Sequence, residues 1–146
     1  MDLPTRHASA WLALTVALAL HVFDEAAHDF LSVYNPAVDA IRDRLPWLPL
    51  PQFSFPVWLG GLIAGVTILL LLTPLVLGEH RALTIASCVL GVLMTCNALG
   101  HLGGSLYLGR AMPGVYSSPV LLAASLWLLY EARRRRAGNI PERPVV

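Results

Sequence analysis

Long apolar stretches alternate with shorter polar segments along the whole chain. The apolar segments are residues 9–30, 56–77, 81–108 and 117–134. A helix that spans a membrane needs about 20 mostly apolar residues, and each segment approaches or exceeds that length. The pattern therefore predicts an all-α membrane protein, a bundle of four transmembrane helices.

Composition supports a membrane environment. Of the 146 residues, 56% are hydrophobic and only 13% are charged, whereas a soluble domain carries about 25% charged residues. The net charge of +1, with basic residues clustered at one end, argues against a nucleic-acid partner. We expect one transmembrane domain, residues 1–136, followed by a disordered cytoplasmic tail, residues 137–146. Membrane lipids are its expected surroundings.

Basic residues predict the orientation. Arg133–Arg136 lie at the end of the fourth segment and just beyond it, and arginine-rich ends of spanning helices lie in the cytoplasm. With four spans the N-terminus is then cytoplasmic too, in agreement with Arg6. We expect a multi-pass protein of the cell inner (plasma) membrane, with loops 31–55 and 109–118 outside.

The first external loop has its own pattern. Asn35 is a suitable helix cap and Pro36 a suitable first helical residue. An apolar face follows, made by Val38, Ile41 and Leu45. The pattern predicts a short interfacial helix on the outer membrane surface, which serves either as a simple spacer or as a lid over the bundle.

Small residues mark one face of the second segment. Gly61 and Gly65 are four positions apart, a spacing that lets two helices approach closely. The face packs either within the bundle or in a homodimer.

Four ionisable residues interrupt the first apolar segment. His21, Glu25 and His28 are spaced i, i+4 and i+7, so they share a helix face, and Asp24 lies at its edge. A charge at mid-bilayer costs about 2.5–3.5 kcal/mol on insertion scales, so such residues have a partner or a function.

A second polar pair lies in the third segment. Asn97 and His101 are again spaced i and i+4, with Gly100 and Gly104 beside them. Both segments run outward, and at about 1.5 Å per residue the two polar groups reach the same outer half of the membrane. The agreement predicts one shared site, in which Asn97 contacts a substrate or hydrogen-bonds a ligand residue.

These residue types are ligands for zinc or iron. His21, Glu25 and His101 would supply three ligands, with His28 or a water as the fourth, and Asp24 would orient a histidine. Alternatively, the group is a purely structural, hydrogen-bonded core. His7, near the N-terminus, is expected to be solvated.

Three short motifs resemble a known family. Residues 21–25 read His-Val-Phe-Asp-Glu, His101 follows, and residues 111–114 read Ala-Met-Pro-Gly. The chain resembles the HXXEE family of small bacterial and archaeal integral membrane proteins, whose pattern is His-x-x-Glu-Glu, a later histidine and Tyr-x-Pro-Gly. Asp24 and Ala111 depart from that pattern. The resemblance supports the site without naming a reaction, and it implies a structural turn beside His101.

Three functions fit the site. The first is a metal-dependent enzyme for a lipid-like or other apolar small molecule, with Glu25 or Asp24 as a catalytic base. The second is a metal-free isomerase in which His21 and Glu25 move a proton. The third is a non-enzymatic transporter or assembly subunit, since intramembrane acids and histidines also line ion paths.

Overall fold

The computed structural model describes residues 2–78 and 80–138, and this part of the chain contains helices and no strand. The five helices are α1 (Leu3–Ala27), α2 (Leu31–Arg44), α3 (Phe55–Leu77), α4 (Arg81–Leu108) and α5 (Ser118–Gly138). The predicted all-α class is confirmed. Most of the predicted tail, residues 139–146, lies outside the described residues.

Three helices, α1, α3 and α4, are long and apolar enough to cross a membrane. This supports the prediction of a membrane protein. Helix α5 is not among them, because its second half contains Glu131 and the run Arg133–Arg136. The fourth spanning helix therefore stays a prediction.

Local sequence determines where the long helices begin and end. Asp2 caps α1, since its Oδ1 accepts a hydrogen bond of 3.1 Å from the Thr5 backbone N–H. Hydrogen bonds from the Thr5 side chain and backbone lower the pKa of the Asp2 carboxyl below its ordinary value. Helix α4 ends at Gly109, whose φ of 62° is the left-handed conformation that glycine adopts easily.

The helices pack in the order α3–α1–α5–α4, and α3 and α4 scarcely touch. The core lies along α1 and α5, where Trp11, Leu14, Leu121 and Leu128 are almost fully buried. Trp11 also donates its indole N–H to the Leu69 carbonyl at 2.9 Å, which fixes α1 against α3. Most apolar side chains of α3 and α4 face outward, as in helices surrounded by lipid.

The loop helix differs from its prediction at one end. Helix α2 begins at Leu31, so Pro36 lies inside it, and the prediction of Asn35 as its cap is wrong. The Asn35 amide instead donates to the Phe53 carbonyl at 3.0 Å and accepts from the Phe53 N–H at 3.2 Å. These two bonds satisfy a backbone donor and acceptor of the returning loop, whereas a cap satisfies a donor alone.

A buried polar network, which the sequence did not reveal, joins the helices at the end opposite Glu25. His7 is 0% exposed, so its predicted solvation is wrong. Its Nδ1 accepts from Arg135 at 2.6 Å, and its Nε2 lies 2.9 Å from the Ser87 hydroxyl. Arg135 also donates to the Val76 carbonyl at 2.9 Å. The network thus connects α1, α3, α4 and α5.

We predict that His7→Phe lowers the free energy of unfolding by about 2–3 kcal/mol, because Arg135 loses a buried acceptor. Chemical unfolding in detergent micelles, followed by helical circular dichroism, measures the loss. His80→Phe is the control, since His80 is exposed and its replacement should change stability by less than about 0.5 kcal/mol. Equal stability of both variants and the original chain would contradict the role of His7.

Candidate metal centre

Helices α1 and α4 bring two histidines and a carboxylate together. His21 and Glu25 are one turn apart near the end of α1, and His101 lies in the last third of α4. All three are buried, and their ligand atoms lie within 4.8 Å of one another. The His101 Nε2 is 3.1 Å from Glu25 Oε1, and the His21 Nε2 is 3.6 Å from the same oxygen. This cluster could hold a metal ion.

Asp24 fixes the orientation of His21 through Ser117. The Asp24 Oδ2 accepts from the Ser117 backbone N–H at 2.9 Å and from its hydroxyl at 2.8 Å. The same hydroxyl lies 2.8 Å from His21 Nδ1, and its other neighbouring acceptor, the Gly114 carbonyl, is farther away at 3.2 Å. The prediction that Asp24 orients a histidine is thus consistent with the geometry, with Ser117 as the intermediate.

These bonds favour the tautomer of His21 that carries its proton on Nδ1. A serine hydroxyl has one hydrogen, and a carboxylate only accepts. When the Ser117 hydroxyl donates to Asp24, its oxygen must accept from His21 Nδ1–H. The Nε2 of a neutral His21 then has a free lone pair directed towards Glu25.

That lone pair faces a second acceptor. His21 Nε2 is buried and has no hydrogen-bond partner within residues 2–78 and 80–138. Its distance of 3.6 Å from Glu25 Oε1 is too long for a hydrogen bond. A nitrogen lone pair and a carboxylate repel each other unless a proton or a cation lies between them. The donor set therefore fits a cation.

His28 lies outside the cluster. Helix α1 ends at Ala27, and His28 has φ −115° and ψ 22°, so the helical face that carries His21 and Glu25 does not continue to it. The His28 Nδ1 instead lies 2.9 Å from Asp24 Oδ1, and its side chain is 49% exposed. Its ring packs against Tyr116, with 5.2 Å between ring centroids.

Asn97 lies next to the cluster, one helical turn before His101. Its side chain is a neighbour of the His21 ring. The Asn97 side chain acts on that ring as a hydrogen-bonding group, but its Oδ1 is buried and accepts no hydrogen bond of regular geometry within the described part of the chain. The site therefore contains a second polar atom that a bound molecule could satisfy.

The turn after α4 closes over the cluster at Gly114. This residue has φ +86°, and a Cβ there would lie 2.9 Å from His101 Cε1 and 3.0 Å from Glu25 Cγ. Only glycine combines this conformation with so close a contact. The turn expected beside His101 is therefore present, and its neighbour Ser117, which sequence reasoning missed, reaches the site from the same loop.

Aromatic rings cover the cluster on its other side. The Phe30 ring lies 5.7 Å from the His101 ring, and it stacks with Tyr34 and Trp58 at centroid distances of 5.5 and 5.7 Å. We call Phe30, Tyr34 and Trp58 the aromatic cover. It joins α2 and α3 to the site, an arrangement consistent with the lid alternative for loop 31–55.

Comparisons with family models, curated proteins and solved structures give no significant match to this chain. The resemblance to the HXXEE family stays a prediction.

We predict that Gly114→Ala destabilises the protein by about 1–3 kcal/mol more than Gly109→Ala does, because overpacking adds to backbone strain. Both glycines have positive φ, but a Cβ at Gly109 would meet open space. The pair thus separates crowding from strain. Thermal unfolding in detergent provides the measurement, and equal losses would show that the turn can move away from His101.

Proposed function

We propose that this chain is an integral membrane metalloprotein in which His21, Glu25 and His101 bind one zinc or iron ion. The observation that carries the proposal is the convergence of three buried ligand atoms within 4.8 Å, with a His21 Nε2 that lacks a hydrogen-bond partner 3.6 Å from Glu25 Oε1. Two ligand atoms each about 2.0–2.1 Å from a tetrahedral ion are about 3.3 Å apart. The distances of 3.1 and 3.6 Å to Glu25 Oε1 lie on either side of that value.

The ligand set favours a catalytic over a structural site. Three protein ligands leave one position of a tetrahedral zinc open, whereas structural zinc sites fill all four. Two histidines and one carboxylate are also the ligands of non-haem iron enzymes. A metal in such a site lowers the pKa of bound water to about 7 and polarises substrate oxygens. We propose a metal-dependent enzyme acting on a lipid-like substrate.

The protein side chains have separate functions in this proposal. Glu25 and the two histidines bind the ion, and Asn97 provides an acceptor for a donor group of the substrate. Asp24 acts through Ser117 and is therefore a positioning residue. The aromatic cover excludes water, which strengthens every electrostatic interaction in the site.

The proposed membrane topology has four spans, with both termini in the cytoplasm. Helix α5 supports it, because its polar residues Ser125, Glu131 and Arg135 are buried against other helices. A helix that hides its polar groups can lie in lipid despite a low mean hydropathy. On this topology α2 lies at the outer membrane surface.

A metal-free proton shuttle between His21 and Glu25 is the second candidate, because a proton would relieve the same repulsion. The two candidates differ in their response to chelators. The metal site loses its ion, whereas the proton shuttle is unaffected.

We expect purified protein from cells supplied with zinc and iron to contain stoichiometric metal by elemental analysis. His21→Ala and His101→Ala should each lower the metal content at least tenfold, because each removes a ligand. His28→Ala is the matched control, since His28 lies outside the cluster. Unchanged helical circular dichroism would show that the variants fold. Metal-free wild-type protein would favour the proton shuttle.

We also predict that Ser117→Ala weakens metal affinity about 10–100-fold, the usual effect of losing a group that orients a ligand. Ser117→Thr keeps the hydroxyl and should bind metal more tightly than the alanine variant. Competition with a chromophoric chelator measures the affinities. If the two variants bind equally, Asp24 does not act through the Ser117 hydroxyl.

A further inference from the structure

We propose that Arg110 binds the anionic headgroup of a membrane lipid, and that such a lipid is the molecule brought to the metal centre. The inference rests on the proposed function and names its substrate class. It starts from a surface cavity of about 220 Å³ beside the cluster, whose lining includes His28, Ser32, Arg110, Met112, Pro113 and Tyr116.

The cavity has the size and chemistry of a headgroup site. Its volume equals that of about seven water molecules in the liquid, enough for a phosphate group and bridging waters. An imidazole, a guanidinium and a phenol line it. Arginine suits phosphate because its planar guanidinium donates two parallel hydrogen bonds.

Arg110 has no competing anion. Within residues 2–78 and 80–138, no carboxylate forms an ion pair with it. The nearby carboxylate of Asp24 accepts two hydrogen bonds from Ser117 on Oδ2, and its Oδ1 lies 2.9 Å from the Nδ1 of the lining residue His28. The guanidinium of Arg110 is therefore available to an anionic ligand, to which it is complementary in charge.

An apolar groove begins at the same arginine. It has a volume of about 460 Å³, and its lining includes Leu102, Leu106 and Val115 together with Arg110. A polar cavity and an apolar groove that meet at one cation match a molecule with an anionic head and a hydrocarbon chain. Neither a free anion nor an uncharged hydrocarbon would fill both.

One turn of chain separates this cavity from the cluster. Met112 and Pro113 line the cavity, and the next residue, Gly114, packs against His101 and Glu25. On the other wall, the His28 Nδ1 lies 2.8 Å from the Asp24 carbonyl oxygen, and the Asp24 side chain is connected through Ser117 to His21. A headgroup held by Arg110 therefore lies next to the residues that would bind the metal.

The test measures binding of dioctanoyl phosphatidylglycerol to the full chain in detergent, with dioctanoyl phosphatidylcholine and inorganic phosphate as comparison ligands. We expect the anionic lipid to bind at least tenfold more tightly than either comparison ligand. Arg110→Gln should reduce its affinity at least tenfold. Arg134→Gln, which removes an exposed arginine at the far end of α5, should not. Leu106→Gln should also weaken binding, and at 85% exposure it should not disturb folding.

Three results would overturn the proposal. The first is equal affinity for the two lipids, and the second is an anionic-lipid affinity that Arg110→Gln leaves unchanged. The third is phosphate binding as tight as lipid binding, which would indicate a site for a free anion. Metal content, measured on the same samples, distinguishes the two proposals. The Arg110→Gln variant should keep its metal. If a metal-free His21→Ala variant still binds the lipid, the lipid site does not depend on the metal site.

Discussion

The carboxylate of Glu25, only 5% exposed between two imidazoles, is the constraint on which the rest of the site depends. Burying an unpaired charge in a low-dielectric interior is very costly, so the carboxylate needs a proton, a donated hydrogen bond or a cation at the same point. When the Ser117 hydroxyl donates to Asp24, it accepts from His21 Nδ1–H, and the Nε2 of a neutral His21 then has no proton to donate. The surrounding structure thus favours either a metal ion or a histidinium at Glu25.

How much of this the sequence predicts depends on where each residue sits on its helix. His21, Glu25 and His101 follow from helical spacing and from equal depth in two segments, both of which depend only on helix geometry. The position of His28 cannot be predicted from helical spacing, because α1 ends one residue before it and the 3.6-residue period ends there too. The role of Asn35 is also not predictable from neighbouring residues, since its hydrogen-bond partner Phe53 is distant in sequence.

The missed contacts share one cause. Ser117 reaches His21, and Arg135 reaches His7, only because α5 lies between α1 and α4. Hydropathy shows that helices exist, but it does not give their order around a bundle. The same order explains how α5 accommodates Glu131 and Arg135, since both are buried against other helices. Its two ends then fix opposite ends of the bundle.

Near the cluster, the bundle has a gap between α3 and α4 that a side chain from the connecting loop fills. Helices α3 and α4 scarcely touch, so Trp58 and His101 have no direct helix packing between them. The Phe30 ring occupies this position, 5.7 Å from each of their rings. Because it is apolar, it lowers the local dielectric beside His101, whose Nε2 lies 3.1 Å from Glu25 Oε1. The aromatic cover therefore strengthens the electrostatic attraction between the buried Glu25 carboxylate and a cation.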